Sequence, residues 1–213
     1  MKSPLINDTL EAQLKTLLDR LNVPVELICV AGESEKDGEM VLFLQHFVSL
    51  SPHLSCQILK AGENAYLDAA LDATLLPATG ITTPGKMPRM VFHGVPGGKE
   101  ITAFASAVLT AGGGLKPLDK PTLKDIAKIK NPMVLQICVS LGCQHCSQLV
   151  SSAHRVAWEN ELVTAHMIDA NLYPELVKSY DIQRVPLTVI DGKKFVPGGK
   201  TMAELTTLLA KYK

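Results

Sequence analysis

Residues 95–109 read Val-Pro-Gly-Gly-Lys-Glu-Ile-Thr-Ala-Phe-Ala-Ser-Ala-Val-Leu, and residues 196–209 repeat this pattern as Val-Pro-Gly-Gly-Lys-Thr-Met-Ala-Glu-Leu-Thr-Thr-Leu-Leu. The offset between the two stretches is 101 positions. A second match, of residues 28–30 with 137–139, has an offset of 109, which also places Pro77 on Pro186. An insertion of eight residues in the first half reconciles the two offsets. The chain is therefore interpreted as two copies of one unit.

Each copy carries the same order of predicted elements. In the second copy, a short helix precedes an apolar strand at 133–139, an amphipathic helix at 148–159 and a strand at 162–168. A short helix, a hairpin and a closing helix complete the order β-α-β-α-β-β-α. The first copy shows the same order, ending in a helix at 102–110. These patterns predict an α/β fold in which each copy has a central mixed β-sheet flanked by helices.

A glycine- and proline-rich stretch separates the copies. Residues 111–121 contain three glycines and two prolines, a composition that breaks regular structure. We place the boundary there, giving one domain at 1–115 and another at 116–213. Two domains packed side by side are the favoured interpretation, and a flexible tether is the alternative.

Composition excludes several classes of protein. The chain has 213 residues, of which 46% are apolar, and 21 basic residues balance 21 acidic ones. This composition is that of a globular protein, and without a basic surplus it gives no reason to expect a nucleic-acid partner. No apolar run approaches the roughly 18 residues of a membrane span, and the N-terminal residues lack a secretory signal, so we expect a cytoplasmic protein with no membrane partner. The charge is uneven: residues 1–115 carry 8 basic and 12 acidic residues, residues 116–213 carry 13 and 9.

The motif Cys143-Gln-His-Cys146 lies between a predicted strand and a predicted helix. A cysteine at a helix N-terminus has a lowered pKa, because unpaired backbone N–H groups favour the thiolate, and a cysteine one turn further along is close enough for a disulfide. His145, when protonated, would stabilise the Cys143 thiolate further. The motif predicts a redox-active pair with Cys143 as the nucleophile.

The cysteines have other interpretations. A zinc site would need a second pair of ligands, and Cys29, Cys56 and Cys138 do not form one. We therefore expect no metal, and we expect these three cysteines to be buried core thiols. Two merely structural thiols in the motif are a further alternative.

Val185-Pro186 is the second candidate feature, at the start of a predicted strand. A cis peptide there would bring the backbone of Val185 against the disulfide and leave its N–H and C=O free to pair with an extended substrate. An ordinary edge-strand proline is the alternative interpretation.

These residues carry a resemblance to a known family. The relevant motifs are Ser140–Cys146, Met87-Pro-Arg-Met with His93–Glu100, Thr110–Gly113, and Val185-Pro186 through Gly192-Lys193. Together with the repeat, they resemble the N-terminal domains of alkyl hydroperoxide reductase F subunits, which are two tandem thioredoxin/glutaredoxin-like folds. The archaeal-type protein disulfide oxidoreductases are a related group, although they commonly have C-x-x-C in both halves.

The resemblance implies a function and a partner set. It implies a dithiol–disulfide oxidoreductase that relays electrons from a flavoprotein disulfide reductase to a disulfide target, which would be a peroxiredoxin or another disulfide protein. A protein disulfide oxidase or isomerase, and a non-catalytic thioredoxin-fold binding module, are the alternatives. The sequence has no G-x-G-x-x-G motif, so FAD and NAD(P)H are expected only on the partner flavoprotein. The two ends favour a free-standing protein over an excised domain.

The first copy departs from the redox motif. The offset of 109 places Cys143 and Cys146 on Ser34 and Asp37, so this copy is expected to be vestigial. Ile137 stands where thioredoxins carry a buried aspartate. The resemblance implies instead that Glu100 is an acidic residue near the redox pair; a plain first-turn residue that favours the helix dipole is the equal alternative.

Overall fold

A computed structural model describes residues 2–143 and 145–212. Gln144, between the two cysteines of the motif, lies outside the described residues. No helix within these ranges is long and apolar enough to cross a membrane.

The described part of the first copy contains four helices and four strands. In chain order they are α1 (Asp8–Leu18), β1 (Val25–Ala31), α2 (Glu35–Val48), β2 (Leu54–Lys60), α3 (Ala65–Ala70), β3 (Ala78–Thr82), β4 (Met90–His93) and α4 (Glu100–Ala111).

The second copy repeats this order. Its elements are α5 (Lys120–Ile126), β5 (Met133–Val139), α6 (Cys146–Glu159), β6 (Val163–Asp169), α7 (Pro174–Ser179), β7 (Leu187–Ile190), β8 (Lys194–Pro197) and α8 (Met202–Ala210). The predicted α/β class and element order are confirmed, and β5 has the predicted bounds.

The strands of both copies form one continuous sheet. Its order is β2-β1-β3-β4-β6-β5-β7-β8, and it mixes parallel with antiparallel pairs. The copies meet where β4 pairs in parallel with β6, with Met90 opposite Ala165 and His93 opposite Ile168. We call this pairing the copy junction. Each copy therefore has its own four strands, as predicted, but the two sheets are joined edge to edge.

The core is also shared between the copies. Phe43, Phe47, Phe92 and Phe104 of the first copy are fully buried in the same apolar cluster as Leu149 of the second. Phe104 lies edge-on to Phe43, Phe47 and Phe92, with ring centroids 5.0 to 5.3 Å apart. Helix α4 packs against α6 over this core. The first copy thus supports the helix that carries the second cysteine of the motif.

Three buried histidines flank the copy junction. The Nδ1–H of His93 donates to the Leu75 carbonyl (2.7 Å), so its Nε2 accepts from Nδ1–H of His166 at 2.8 Å. On the opposite face, the ring of His154 of α6 lies tilted against Phe92, with ring centroids 4.7 Å apart, and its Nε2–H donates to the Val91 carbonyl (3.2 Å). Burial lowers the pKa of all three imidazoles, that of His154 to about 4.

Candidate redox site

A disulfide joins Cys143 to Cys146 just beyond the end of β5. Their Cα atoms are 5.5 Å apart, within the range that a disulfide spans. Cys143 is half-buried, whereas Cys146 is fully buried as the first residue of α6. The half-buried Cys143 is the member of the pair that another protein can reach, which suits it for the first attack on a target.

The N-terminus of α6 is left without a side-chain cap. His145 occupies the capping position, is exposed, and accepts no capping hydrogen bond. The first turn of α6 contains no acidic residue. The unpaired N–H groups and the positive end of the helix dipole are therefore available to stabilise a Cys143 thiolate in the reduced protein. The role predicted for His145 remains a prediction.

Val185 and Pro186 lie beside the end of β5. The Val185–Pro186 peptide bond is cis. Leu187, the next residue, pairs with Cys138 of β5, and the carbonyl of Pro186 accepts a hydrogen bond from Gly198 N–H at 2.9 Å. Among the residues that the structure describes, neither the N–H nor the C=O of Val185 has a hydrogen-bond partner. This is the open backbone that strand-like pairing with a substrate would use.

Glu100 is the first residue of α4 and is 0% exposed. Neither of its carboxylate oxygens has a hydrogen-bond partner within the described chain. Burial, together with the negative charge of Asp169, raises the pKa of Glu100 to about 7. A carboxyl group with such a pKa exchanges a proton readily at neutral pH, as a general acid or base must.

The segment before Glu100 touches the redox loop. The Lys99 amide donates to the Leu141 carbonyl at 3.0 Å, two residues before Cys143. Gly98 has a φ of +55°, and a Cβ there would lie 2.5 Å from the same carbonyl oxygen, so only glycine fits this position. The repeated Pro-Gly-Gly motif of the first copy therefore brings the N-terminus of α4 to that of α6.

Sequence reasoning missed Asp169, the last residue of β6. It lies opposite Val139 in the sheet, is buried, and accepts hydrogen bonds from the Asn171 amide N–H (3.1 Å) and Nδ2 (3.3 Å). Burial raises the pKa of this carboxyl group. The signal in the sequence was an aspartate ending an otherwise apolar strand beside the strand that leads to the C-x-x-C motif.

The remaining thiols are unlike the redox pair. Cys29 and Cys138 are fully buried, and burial raises their pKa values to about 11 and 12. Cys56 is half-buried, more accessible than predicted, because β2 is an edge strand. Within residues 2–143 and 145–212, no three or more His, Cys, Asp or Glu side chains are grouped to hold a metal ion.

Comparisons with known proteins agree with this geometry. The thioredoxin domain family model matches residues 133–210, from β5 to α8. The N-terminal domain of the Enterococcus faecalis F subunit of alkylhydroperoxide reductase is 30% identical, with a TM-score of 0.89, over 95% of this chain and 99% of that one. This chain belongs to that family of N-terminal domains.

More distant relatives are consistent with this assignment. The Staphylococcus epidermidis F subunit of alkyl hydroperoxide reductase is 26% identical over 96% of this chain, and the match spans only 38% of that relative's length. A protein disulfide oxidoreductase from Aeropyrum pernix, 18% identical with a TM-score of 0.84, shares the double thioredoxin fold. Family and disulfide together make this F-subunit-type domain a thiol–disulfide oxidoreductase.

Proposed function

We propose that this protein relays electron pairs from a flavoprotein disulfide reductase to a disulfide on a target protein, and that the target is a peroxiredoxin. The observation that carries the proposal is the disulfide of Cys143 with Cys146 at the uncapped N-terminus of α6, in a chain related over its length to F-subunit N-terminal domains. FAD and NAD(P)H belong, in this proposal, to the partner flavoprotein. The reducing cytoplasm is its proposed location, because a dithiol persists there.

The relay has two thiol–disulfide exchanges. The Cys143 thiolate attacks one sulfur of the target disulfide, forms a mixed disulfide with it and releases the other target sulfur as a thiolate. The Cys146 thiolate then attacks Cys143 Sγ, releasing the second target thiol and closing the Cys143–Cys146 disulfide. The target gains two electrons and two protons. A dithiol of the flavoprotein reverses the oxidation of this chain.

Glu100 and Val185 have proposed roles in these exchanges. Buried Glu100 would take the proton from the Cys146 thiol, which is itself buried and needs a nearby base to become a thiolate. The free backbone groups of Val185 would hold the target segment in an extended conformation across the disulfide.

Turnover of a purified peroxiredoxin, with its cognate flavoprotein reductase and NAD(P)H, tests the relay. We expect Cys143→Ser to reduce the rate to background, and Cys146→Ser to accumulate a mixed disulfide detectable by mass spectrometry. Equal rates for wild type and Cys143→Ser would refute the proposal. Cys56→Ser is the matched control, because Cys56 is partly accessible and its strand, β2, is separated from β5 by four strands of the sheet.

The reduction potential separates this relay from an oxidase or isomerase. A potential near that of thioredoxin, about −270 mV, supports a reductase, and one near about −120 mV supports an oxidase. Redox titration against glutathione would distinguish them.

A further inference from the structure

Three backbone segments surround the N-terminus of α6. Lys99 is joined to the redox loop by its hydrogen bond to Leu141. Arg184 directly precedes Val185. In the third segment, a Cβ at Gly199 would lie 3.6 Å from Cβ of His145, which places Lys200 next to this contact. Each segment therefore brings one cationic residue to the border of the disulfide, and we call Lys99, Arg184 and Lys200 the cationic collar.

The collar has little negative charge to balance it. Lys99 and Arg184 are exposed, Lys200 is half-buried, and none of the three forms an ion pair with a described residue. Lys200 Nζ donates to the Pro197 carbonyl at 3.3 Å. Hydrogen bonds from the Thr201 N–H and hydroxyl lower the pKa of the Glu204 carboxyl, and the charge of Lys200 adds a smaller effect in the same direction.

Two acidic residues that adjoin the redox loop and the end of β5 are buried. Glu100 is fully buried with a raised pKa, and Asp169 is buried and hydrogen-bonded to Asn171. With no acidic residue in its first turn, α6 adds the positive end of its dipole. The collar therefore brings three cations to the border of the redox loop against one exposed carboxylate, that of Glu204, in a chain whose formal net charge is zero.

From these observations we infer that the target disulfide lies in an extended segment with carboxylates flanking its reactive cysteine; this inference rests on the proposed function. Val185 supplies backbone pairing for the extended segment, and the collar supplies charge complementarity on both sides of the disulfide. Such complementarity acts chiefly on association rate and partner choice, and salt screens it.

Matched disulfide peptides test the inference. Three peptides share one intramolecular disulfide and differ only in flanking residues, which are Asp, Asn or Lys. The second-order rate constant for their reduction by the pre-reduced protein is measured by stopped flow at low and high salt. We expect the Asp peptide to react on the order of 10-fold faster than the Lys peptide at low salt, with the ratio shrinking at high salt.

A triple variant, Lys99→Gln with Arg184→Gln and Lys200→Gln, tests whether the cationic collar causes the preference for the Asp peptide. We expect it to bring the Asp and Lys peptides within about 2-fold of each other, while Lys124→Gln, an exposed cation of α5, leaves the ratio unchanged. Equal wild-type rates for the Asp and Lys peptides, or a triple variant that keeps the preference, would overturn the inference.

Hydroxyethyl disulfide serves as a control probe. It distinguishes a missing preference among the charged peptides from a missing redox activity. It is small and uncharged, so its reduction depends on the cysteine pair and not on the collar. Reaction with this probe but no preference among peptides refutes only the inference about the target. No reaction with the probe refutes the proposed function and the inference together.

Discussion

The helices α2 and α6 occupy matching places in the two copies, and their N-termini differ in chemistry. In α2, Ser34 and Asp37 form a capping box: the Asp37 carboxylate accepts from the Gly32 N–H (2.7 Å), the Ser34 N–H (3.0 Å) and the Ser34 hydroxyl (2.5 Å). In α6, Cys143 and Cys146 stand in these positions, and His145 at the capping position makes no side-chain capping hydrogen bond with any described residue. One N-terminus is satisfied within the chain, and the other is open for a thiolate.

The proline loops of the two copies show the same contrast. Leu76–Pro77 and Val185–Pro186 are both cis, and the carbonyls of Pro77 and Pro186 accept equivalent bonds of 2.9 Å from Gly94 and Gly198. The Leu76 carbonyl, however, accepts a hydrogen bond from the Tyr173 hydroxyl of the second copy at 3.0 Å. The first copy thus keeps the scaffold of a thioredoxin site, while hydrogen bonds within the chain occupy its helix end and the Leu76 carbonyl.

Giving the N-terminus of α6 the serine and aspartate found at α2 should have the largest effect on disulfide turnover. We expect Cys143→Ser with Cys146→Asp to lower disulfide turnover by at least about 1,000-fold, because both nucleophiles are lost. The fold should persist, since Asp37 shows that this position accepts a capping carboxylate. Turnover and the circular-dichroism melting curve are the measurements. If the double variant unfolds, Cys143→Ser alone still tests the loss of turnover.

The reverse exchange, which gives α2 the two cysteines of α6, should not restore disulfide turnover. Placing Ser34→Cys and Asp37→Cys in the Cys143→Ser background supplies a C-x-x-C motif to α2, but Tyr173 still occupies the Leu76 carbonyl. We expect no measurable reduction of a protein disulfide. Recovered turnover would show that the cysteines alone make the copies different.

His154 distinguishes the interior helix α6 from α2, where the equivalent residue is the exposed Gln45. Burial lowers the pKa of His154 to about 4, below its ordinary 6.5, so the unfolded chain binds more protons between these values. The contribution of His154 to the free energy of unfolding is therefore fully present above pH 6.5. As the pH falls from 6.5 to 4, this contribution is lost, and the free energy of unfolding decreases by about 3 kcal/mol.

Urea unfolding of wild type and His154→Gln across this pH window measures the effect. The difference between the two curves isolates His154 from Glu100, whose raised pKa acts in the opposite direction. We expect a steeper loss of stability on acidification for wild type than for the variant. Parallel curves would contradict the prediction, and His53→Gln, at an exposed position, is the control.

Glu100 has Thr201 as its counterpart in the repeat, and Thr201 caps α8. We expect Glu100→Gln to slow the resolving step by roughly 100-fold and to remove an inflection near pH 7 from its pH–rate profile. Wild-type resolution should accelerate as the pH rises through 7, because the carboxylate is the base.

Rapid-mixing measurements of the resolving step from about pH 5 to 9, which brackets the expected inflection, check this prediction. Glu204→Gln, at the exposed N-terminus of α8, is the matched control and should keep the inflection. If Glu100→Gln changes only the melting temperature, Glu100 is a helix-dipole residue and not a proton carrier.

Tyr173→Phe should have the smallest effect. The change removes one hydroxyl bond to the Leu76 carbonyl, which costs about 1 kcal/mol of unfolding free energy. Redox turnover should stay unchanged, because the lost contact lies at the Leu76–Pro77 loop of the first copy and not at Cys143 or Cys146. Chemical denaturation measures the loss, with Tyr66→Phe as the control at a side chain that is 74% exposed. A large fall in turnover would show that this contact reaches the redox site.

Elements with strong local patterns were predictable from the sequence. Strand β5 is an apolar run that is buried along most of its length, and its predicted bounds are those observed. The short helix α3 spans only Ala65–Ala70, because Asp72 adopts a positive φ of 51° and ends the helical path. The end of a short helix depends on the backbone conformation of one such residue, and hydrophobic periodicity does not reveal that conformation.

Side-chain contacts between the copies were not predictable. Glu100 was expected near the redox pair from the family resemblance alone; nothing in its local sequence indicated complete burial without a hydrogen-bond partner. The Tyr173 contact with Leu76 spans 97 residues, and the His93–His166 contact spans 73. Such pairs depend on which strands become neighbours in the sheet, and a single sequence does not specify that choice.

The sequence by itself determined the repeat, the α/β element order and the place of the C-x-x-C motif between a strand and a helix, because each is written in local spacing and composition. Only the tertiary structure decided that β4 pairs with β6, that α4 begins beside α6 and that the Tyr173 hydroxyl donates to the Leu76 carbonyl. These features depend on the burial of apolar surface between the two copies. That contribution to the folding free energy comes from residues far apart in the sequence, so no single stretch of residues reveals it.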